Sequence, residues 1–112
     1  MLAVNKTRVA TDNEGYLLDP QQWDESLALQ IAASENIVMT DAHWEIVHFI
    51  REYFELQQSV PENRALLKTL RGRHGEDIAT RKYIHTLFPY GFGQQACKIA
   101  GMRKPLKLLL DV

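Results

Sequence analysis

The sequence predicts a mainly α fold: an orthogonal helical bundle with a small N-terminal β-hairpin, a helix-turn-helix-like pair within it, and a C-terminal arm. Three observations carry this. Apolar residues recur at helical spacing after each of the start signals Asp19-Pro20, Thr40, Pro61 and Asp77. The cluster Asp12-Asn13-Glu14-Gly15 separates two short apolar runs, as a hairpin turn does. Beyond Gly101 the helical period is lost. With 112 residues, 46% of them hydrophobic, the chain fits one domain with enough apolar side chain for a core. The expected division is a helical domain over residues 1–101 and an arm over residues 102–112.

Each element has its own signal. Over residues 3–18, Val4, Arg8 and Val9 precede the turn cluster and Tyr16-Leu17-Leu18 come after it. Asp and Asn supply side-chain hydrogen bonds for such a turn, and Gly its positive-φ position. Asp19 then suits an N-cap and Pro20 the first helical position, where a missing N–H costs nothing. Leu18 and Trp23 fall at the positions of a hydrophobic staple, Trp23, Leu27 and Ile31 form one apolar face, and Asn36 is the stop.

Thr40 opens the second helix, again with a staple pair, Met39 and Trp44. Its apolar set runs from Trp44 through Ile46, Val47, Ile50 and Phe54 to Leu56, a stripe wide enough for the central core helix. Pro61 starts a third helix, from Glu62 to about Arg71, that buries Leu66, Leu67 and Leu70. Gly72 and Gly75 are expected to form a tight link, and Asp77 to cap a fourth helix that ends before Pro89. This pair has the helix-turn-helix outline. After a flexible link at Tyr90–Gly93, a short helix from about Gly93 to Ala100 closes at Gly101.

Composition narrows the function classes. A single cysteine rules out an intrachain disulfide framework and fits a reducing, cytoplasmic compartment. Neither a secretory leader nor a membrane span is expected, and no cofactor. His43 and His48 are five residues apart, which does not put two imidazoles on one helix face, so a zinc site there is not expected; His43 reads as a polar residue of the first turn. The charge is divided: residues 1–58 carry three cations against ten acids, a net −7, and residues 59–112 carry ten against four, a net +6. Such a division fits a basic face for an anionic partner, or two solvated faces that attract each other.

The chemistry-bearing stretch is Gln94–Pro105. It contains Cys97, the only thiol, with Lys98, Arg103 and Lys104 close in sequence. Cationic neighbours favour the reactive thiolate, whereas a buried cysteine in apolar surroundings is inert. Cys97 is thus the candidate reactive residue, and Lys98, Arg103 and Lys104 are candidate partner-binding residues. Arg64, Lys68, Arg71, Arg73, Arg81 and Lys82, clustered around the third and fourth helices, are the candidate nucleic-acid-binding set.

Four stretches together resemble the DsrC/TusE family, the gamma-subunit-like proteins of dissimilatory sulfite reductase and their tRNA 2-thiouridine sulfur-relay relatives. They are Glu14-Gly15-Tyr16-Leu17 with Trp23; His43-Trp44-Glu45 with Phe49-Ile50-Arg51; Leu87-Phe88-Pro89 with Gly91; and Gln95-Ala96-Cys97-Lys98-Ile99-Ala100-Gly101 with Lys104-Pro105. Pro61 and Arg64 also fall at family positions. The resemblance implies a small orthogonal helical bundle with an N-terminal hairpin and a C-terminal arm. It also implies that sulfur is carried on an arm cysteine near the end of the chain, with a second cysteine in the preceding helix. Cys97 matches the helix position, and the arm position falls on Leu108.

The resemblance therefore implies sulfur trafficking or relay by a divergent paralogue. Its principal arm cysteine is replaced and a persulfide on Cys97 is the remaining route, so that it is at most a sulfurtransferase-like carrier. The implied partner is a protein of a sulfur-relay complex or a sulfite reductase-like protein. The alternative is a non-catalytic regulatory module that binds DNA or a relay partner.

Overall fold

The computed structural model describes residues 2–4 and 7–104, with side chains from Val9 onward. Helices dominate: α1 (Glu25–Ser34), α2 (Asp41–Gln57), α3 (Asn63–His74), α4 (Arg81–Leu87) and the single turn α5 (Cys97–Ile99), which continues a π-helical turn at Phe92–Ala96. Among the described residues no helix is long and apolar enough to cross a membrane.

The hairpin expected over residues 3–18 is not formed. Around the Asp12–Gly15 turn only one isolated bridge joins Thr11 to Leu17. The ladder that exists lies earlier: β1 (Leu2–Val4) pairs antiparallel with β2 (Thr7–Val9). The Asp12 cluster does turn the chain: backbone bonds from Asp12 N–H to Tyr16 O at 2.9 Å and from Leu18 N–H to Ala10 O at 3.2 Å close it, and the Asp12 side chain supports it. Asp12 Oδ1 accepts from the Glu14 and Tyr16 backbone N–H groups, at 2.8 and 3.0 Å. Tyr16 and Leu17 do not continue as a strand, because both are drawn into the helical core.

Capping chemistry also moves the first helix. Asp19 caps only a 3-10 turn, Pro20–Gln22. The α-helix starts afresh at Asp24, whose carboxylate accepts from Leu27 N–H at 2.8 Å. Leu18 is 50% exposed, so the Leu18–Trp23 staple does not form. The second helix begins as expected at Thr40, with Met39 and Trp44 packed on the core. His43 is in its first turn but is buried. Its Nδ1 lies 3.1 Å from Thr40 N–H and its Nε2 2.8 Å from Leu87 O, which selects the tautomer that donates from Nε2 and ties α2 to the end of α4.

The helix-turn-helix outline does not survive. Gly72 lies inside α3, which runs on to His74, and Gly75 caps it at φ 91°. Thr80, not Asp77, caps α4 by accepting from Tyr83 N–H at 3.1 Å. The connection over residues 75–80 is longer than the three or four residues of that motif. Asp77 loses to Thr80 because Ala79 must reach the core first; it is 7% exposed and Asp77 is in solvent.

The core is continuous through Leu17, Leu27, Ile31, Ile46, Ile50, Leu66, Leu70, Ile84 and Phe88, and it runs directly into Phe92, Cys97, Ile99 and Met102. Of the flexible link expected at Tyr90–Gly93, Tyr90 is exposed, but Gly91, Phe92 and Gly93 are buried. Met102, the first residue of the expected arm, is fully buried. Residues 105–112, including Leu108, lie outside the described residues.

Candidate functional site

Cys97 is fully buried where the π turn hands over to α5. The winding changes because the Cys97 N–H reaches back to Phe92 O, one residue further than in an α-helix. Single π turns are uncommon and recur at functional sites. Here side chains hold it open. Tyr16 Oη lies 3.3 Å from both Gly93 O and Gln94 O, so its hydroxyl serves carbonyls the wider turn leaves exposed. The buried Gln95 accepts from Tyr90 N–H at 2.9 Å.

The charged residues of the stretch are engaged away from the thiol. Lys98 Nζ donates to Glu35 Oε2 at 3.0 Å, and Gln95 Nε2 donates to Glu35 Oε1 at 3.1 Å. Lys98 Nζ also stands 5.6 Å from the Tyr16 ring centroid. Lys104 donates to Glu14 at 2.6 Å, and that carboxylate holds its ammonium above the usual lysine range. Arg103 is exposed. Lys98 and Lys104 thus tie the stretch to the end of α1 and to the Asp12–Gly15 turn.

The exit from α5 is a Schellman motif. Gly101 N–H donates to Lys98 O and Met102 N–H to Cys97 O, both at 3.0 Å, with Gly101 at φ 78°. The last carbonyls go to side chains. Trp23 Nε1 donates to Ile99 O at 2.8 Å, and Arg51 Nη1 donates to Ala100 O at 3.2 Å and to Pro20 O at 3.0 Å. The guanidinium carbon sits 4.6 Å from the Trp23 ring centroid. Partial burial lowers the Arg51 pKa, but a guanidinium stays charged at any ordinary pH.

Burial, with Glu14, Cys97, Asp12 and Glu35 adding to it, pushes the Tyr16 phenol from its usual 10.0 up to about 12. The raised group keeps its proton longer in the fold than in the unfolded chain. Its contribution is therefore complete below pH 10 and is lost as pH rises toward 12. We expect the thermal midpoint to fall over that window, and Tyr16→Phe to fall less steeply. Parallel slopes for the two proteins would contradict this.

Sequence reasoning found Cys97 and Lys98 and missed their partners. Glu35 does carry a signal: an acid at a helix C-terminus opposes the dipole and needs a cation. Trp23, His43 and Arg51 belong to the family stretches, but nothing in the sequence ties Trp23 or Arg51 to the Cys97 turn or His43 to the end of α4. The candidate nucleic-acid set is exposed on α3, which carries Arg64, Lys68, Arg71 and Arg73, and on α4, which carries Arg81 and Lys82. Arg64, Lys68 and Arg71 line one groove of about 510 Å3. Arg64 pairs with Glu62 at 3.2 Å and Arg73 with Glu45 at 3.4 Å.

Comparison with known proteins agrees with this architecture. Residues 3–109 match the family model described as DsrC like protein. A sulfurtransferase TusE homolog of Haemophilus influenzae is 43% identical over 97% of this chain and 100% of its own length. The sulfurtransferase TusE of Salmonella choleraesuis is 42% identical with the same coverage. Among solved structures, the oxidized gamma-subunit of the dissimilatory sulfite reductase (DsrC) from Archaeoglobus fulgidus superposes with a TM-score of 0.87 at 33% identity, covering 95% of this chain and 96% of that one. DsrC of Allochromatium vinosum gives 0.84 at 38% identity, covering 95% of each.

Proposed function

We propose a function from one premise: this chain belongs to the DsrC-like family of sulfur-relay proteins. It works in the cytoplasm with a protein partner of such a relay, and Cys97 is the sulfur atom it offers. The observation that carries the reading is that the only thiol of the chain stands at the end of a π turn, a winding that recurs at functional sites, and that its own turn is closed by Trp23 and Arg51. In the transfer step the Cys97 thiolate attacks the outer sulfur of a donor persulfide. A new S–S bond forms, the donor's S–S bond breaks, and the donor leaves as a thiolate. An acceptor thiolate then removes the outer sulfur in the same way, so no external oxidant or reductant is consumed.

Full burial of Cys97 favours one second reading, a regulatory module that docks on a relay protein without carrying sulfur. DNA is not proposed as the partner, since the motif that motivated it is not formed and two of its cations are held by Glu62 and Glu45.

The test is expression in a bacterium deprived of its own TusE relative, scored by thiolated tRNA. The chain should restore a part of the thiolation, Cys97→Ser none, and Leu108→Cys ending after Leu109 the whole. Equal thiolation with the native chain and Cys97→Ser would overturn the role of Cys97. Complete rescue by the native chain would overturn the weight given to Leu108.

A further inference from the structure

We propose that Arg51 is a positioning residue for Cys97: with Trp23 it latches the last turn of the Cys97 helix, and local release of that latch, short of unfolding, admits a reactant to the thiol. The inference deepens the relay reading of Cys97 and rests on it.

The two carbonyls that end this helix are held by side chains from distant parts of the chain. Ile99 O is bound by the Trp23 indole, and Ala100 O by Arg51 from α2. The same Arg51 nitrogen holds Pro20 O, so one donor joins the 3-10 turn to the end of the Cys97 helix. The Trp23 ring lies under the guanidinium, and each holds the other in place. The latch is half-exposed, so water can take over its hydrogen bonds when it opens.

The segment is buried at both ends, but the side chains that hold it differ: Tyr16 and Gln95 at the opposite end are buried, whereas Trp23 and Arg51 are partly exposed. Opening therefore starts at the Gly101 end. Met102 comes directly after it, buried and bonded to Cys97 O, so its displacement unroofs the thiol's own turn. Beyond it Arg103 and Lys104 are exposed, and Lys104 is held by an exposed pair with Glu14.

The test is the rate at which 4,4′-dithiodipyridine labels Cys97 in the full chain, in the native protein, Arg51→Lys, Trp23→Phe and Ile84→Val, over the urea range below the unfolding transition. Lysine keeps the charge but is shorter and lacks the flat guanidinium that lies on the Trp23 ring. Phenylalanine keeps the ring and removes the indole donor. Ile84→Val weakens the core away from the latch. Arg51→Lys and Trp23→Phe should label at least about tenfold faster than native, with rates nearly independent of urea, as local opening requires. Ile84→Val should label at the native rate without urea. Labelling of Arg51→Lys at the native rate, or faster only by the factor its global unfolding constant rises, would overturn the latch. If the latch variants label faster yet accept no sulfur from a persulfide donor, the latch stands and the relay reading of Cys97 fails.

Discussion

Replacing Gly101 with alanine should lower the unfolding free energy by about 2–4 kcal/mol, the sum of a left-handed backbone penalty and a collision in a packed site. Gly101 has φ 78°, and a Cβ built on it would run into the Cβ and ring of Trp23. That ring cannot withdraw without giving up the bond to Ile99 O and the stack under Arg51. Gly75 has φ 91° with ψ −178° and nothing within 4 Å of its would-be Cβ, so Gly75→Ala should cost a backbone part of about 1–3 kcal/mol and no collision. Urea unfolding measures each loss. A Gly101→Ala loss no larger than the left-handed backbone penalty alone, about 1–2 kcal/mol, would mean that Trp23 does not crowd Gly101.

Removing the Glu35 carboxylate should be nearly as damaging. Glu35→Ala strands the Lys98 ammonium, whose side chain is 13% exposed, and leaves the Gln95 amide without its acceptor. Breaking a buried pair from one side costs about 3–5 kcal/mol, and partial exposure here reduces that to about 2–3 kcal/mol. The double variant Glu35→Ala with Lys98→Met should recover a good part of the loss, because methionine fills the space with no charge to solvate. Additive losses in urea unfolding would show that the pair is not coupled.

The sequence made the helices legible through local chemistry. Thr40 with Met39 and Trp44 placed the start of α2, Pro89 the end of α4, and Gly101 the end of α5, because each acts within one turn of its own position. It misled wherever two local signals competed and the tertiary fold chose between them. Asp19 reads as the cap of the first helix but holds only the 3-10 turn, and Asp24 caps α1, where Leu27 enters the core. Asp77 reads as the cap of the fourth helix, and Thr80 caps it. The turn at Asp12–Gly15 is legible, but its flanks read as strands where burial of Tyr16 and Leu17 has the stronger claim on them.

At the candidate site the same limit applies. Cys97, Lys98 and Gly101 are contiguous and could be found together. Glu35, Trp23, Arg51 and Tyr16 reach this segment through hydrogen bonds that span as many as 78 residues, and no spacing rule connects such positions. The π turn was unreadable for a related reason. It is held open by Tyr16 from outside the helix, so the local sequence reads as an ordinary helical turn.

The central claim is that Cys97 is the relay sulfur of this chain and that the closed fold shields it. The most direct measurement is the intact mass of the native full-length protein after incubation with a protein persulfide donor, tracked over time beside Cys97→Ser and Arg51→Lys. The account predicts one added sulfur atom on Cys97 in the native chain, acquired slowly, the same adduct acquired faster in Arg51→Lys, and none in Cys97→Ser. A native chain and an Arg51→Lys variant that both remain unmodified, while a DsrC-family protein with an arm cysteine is loaded in the same mixture, would contradict it.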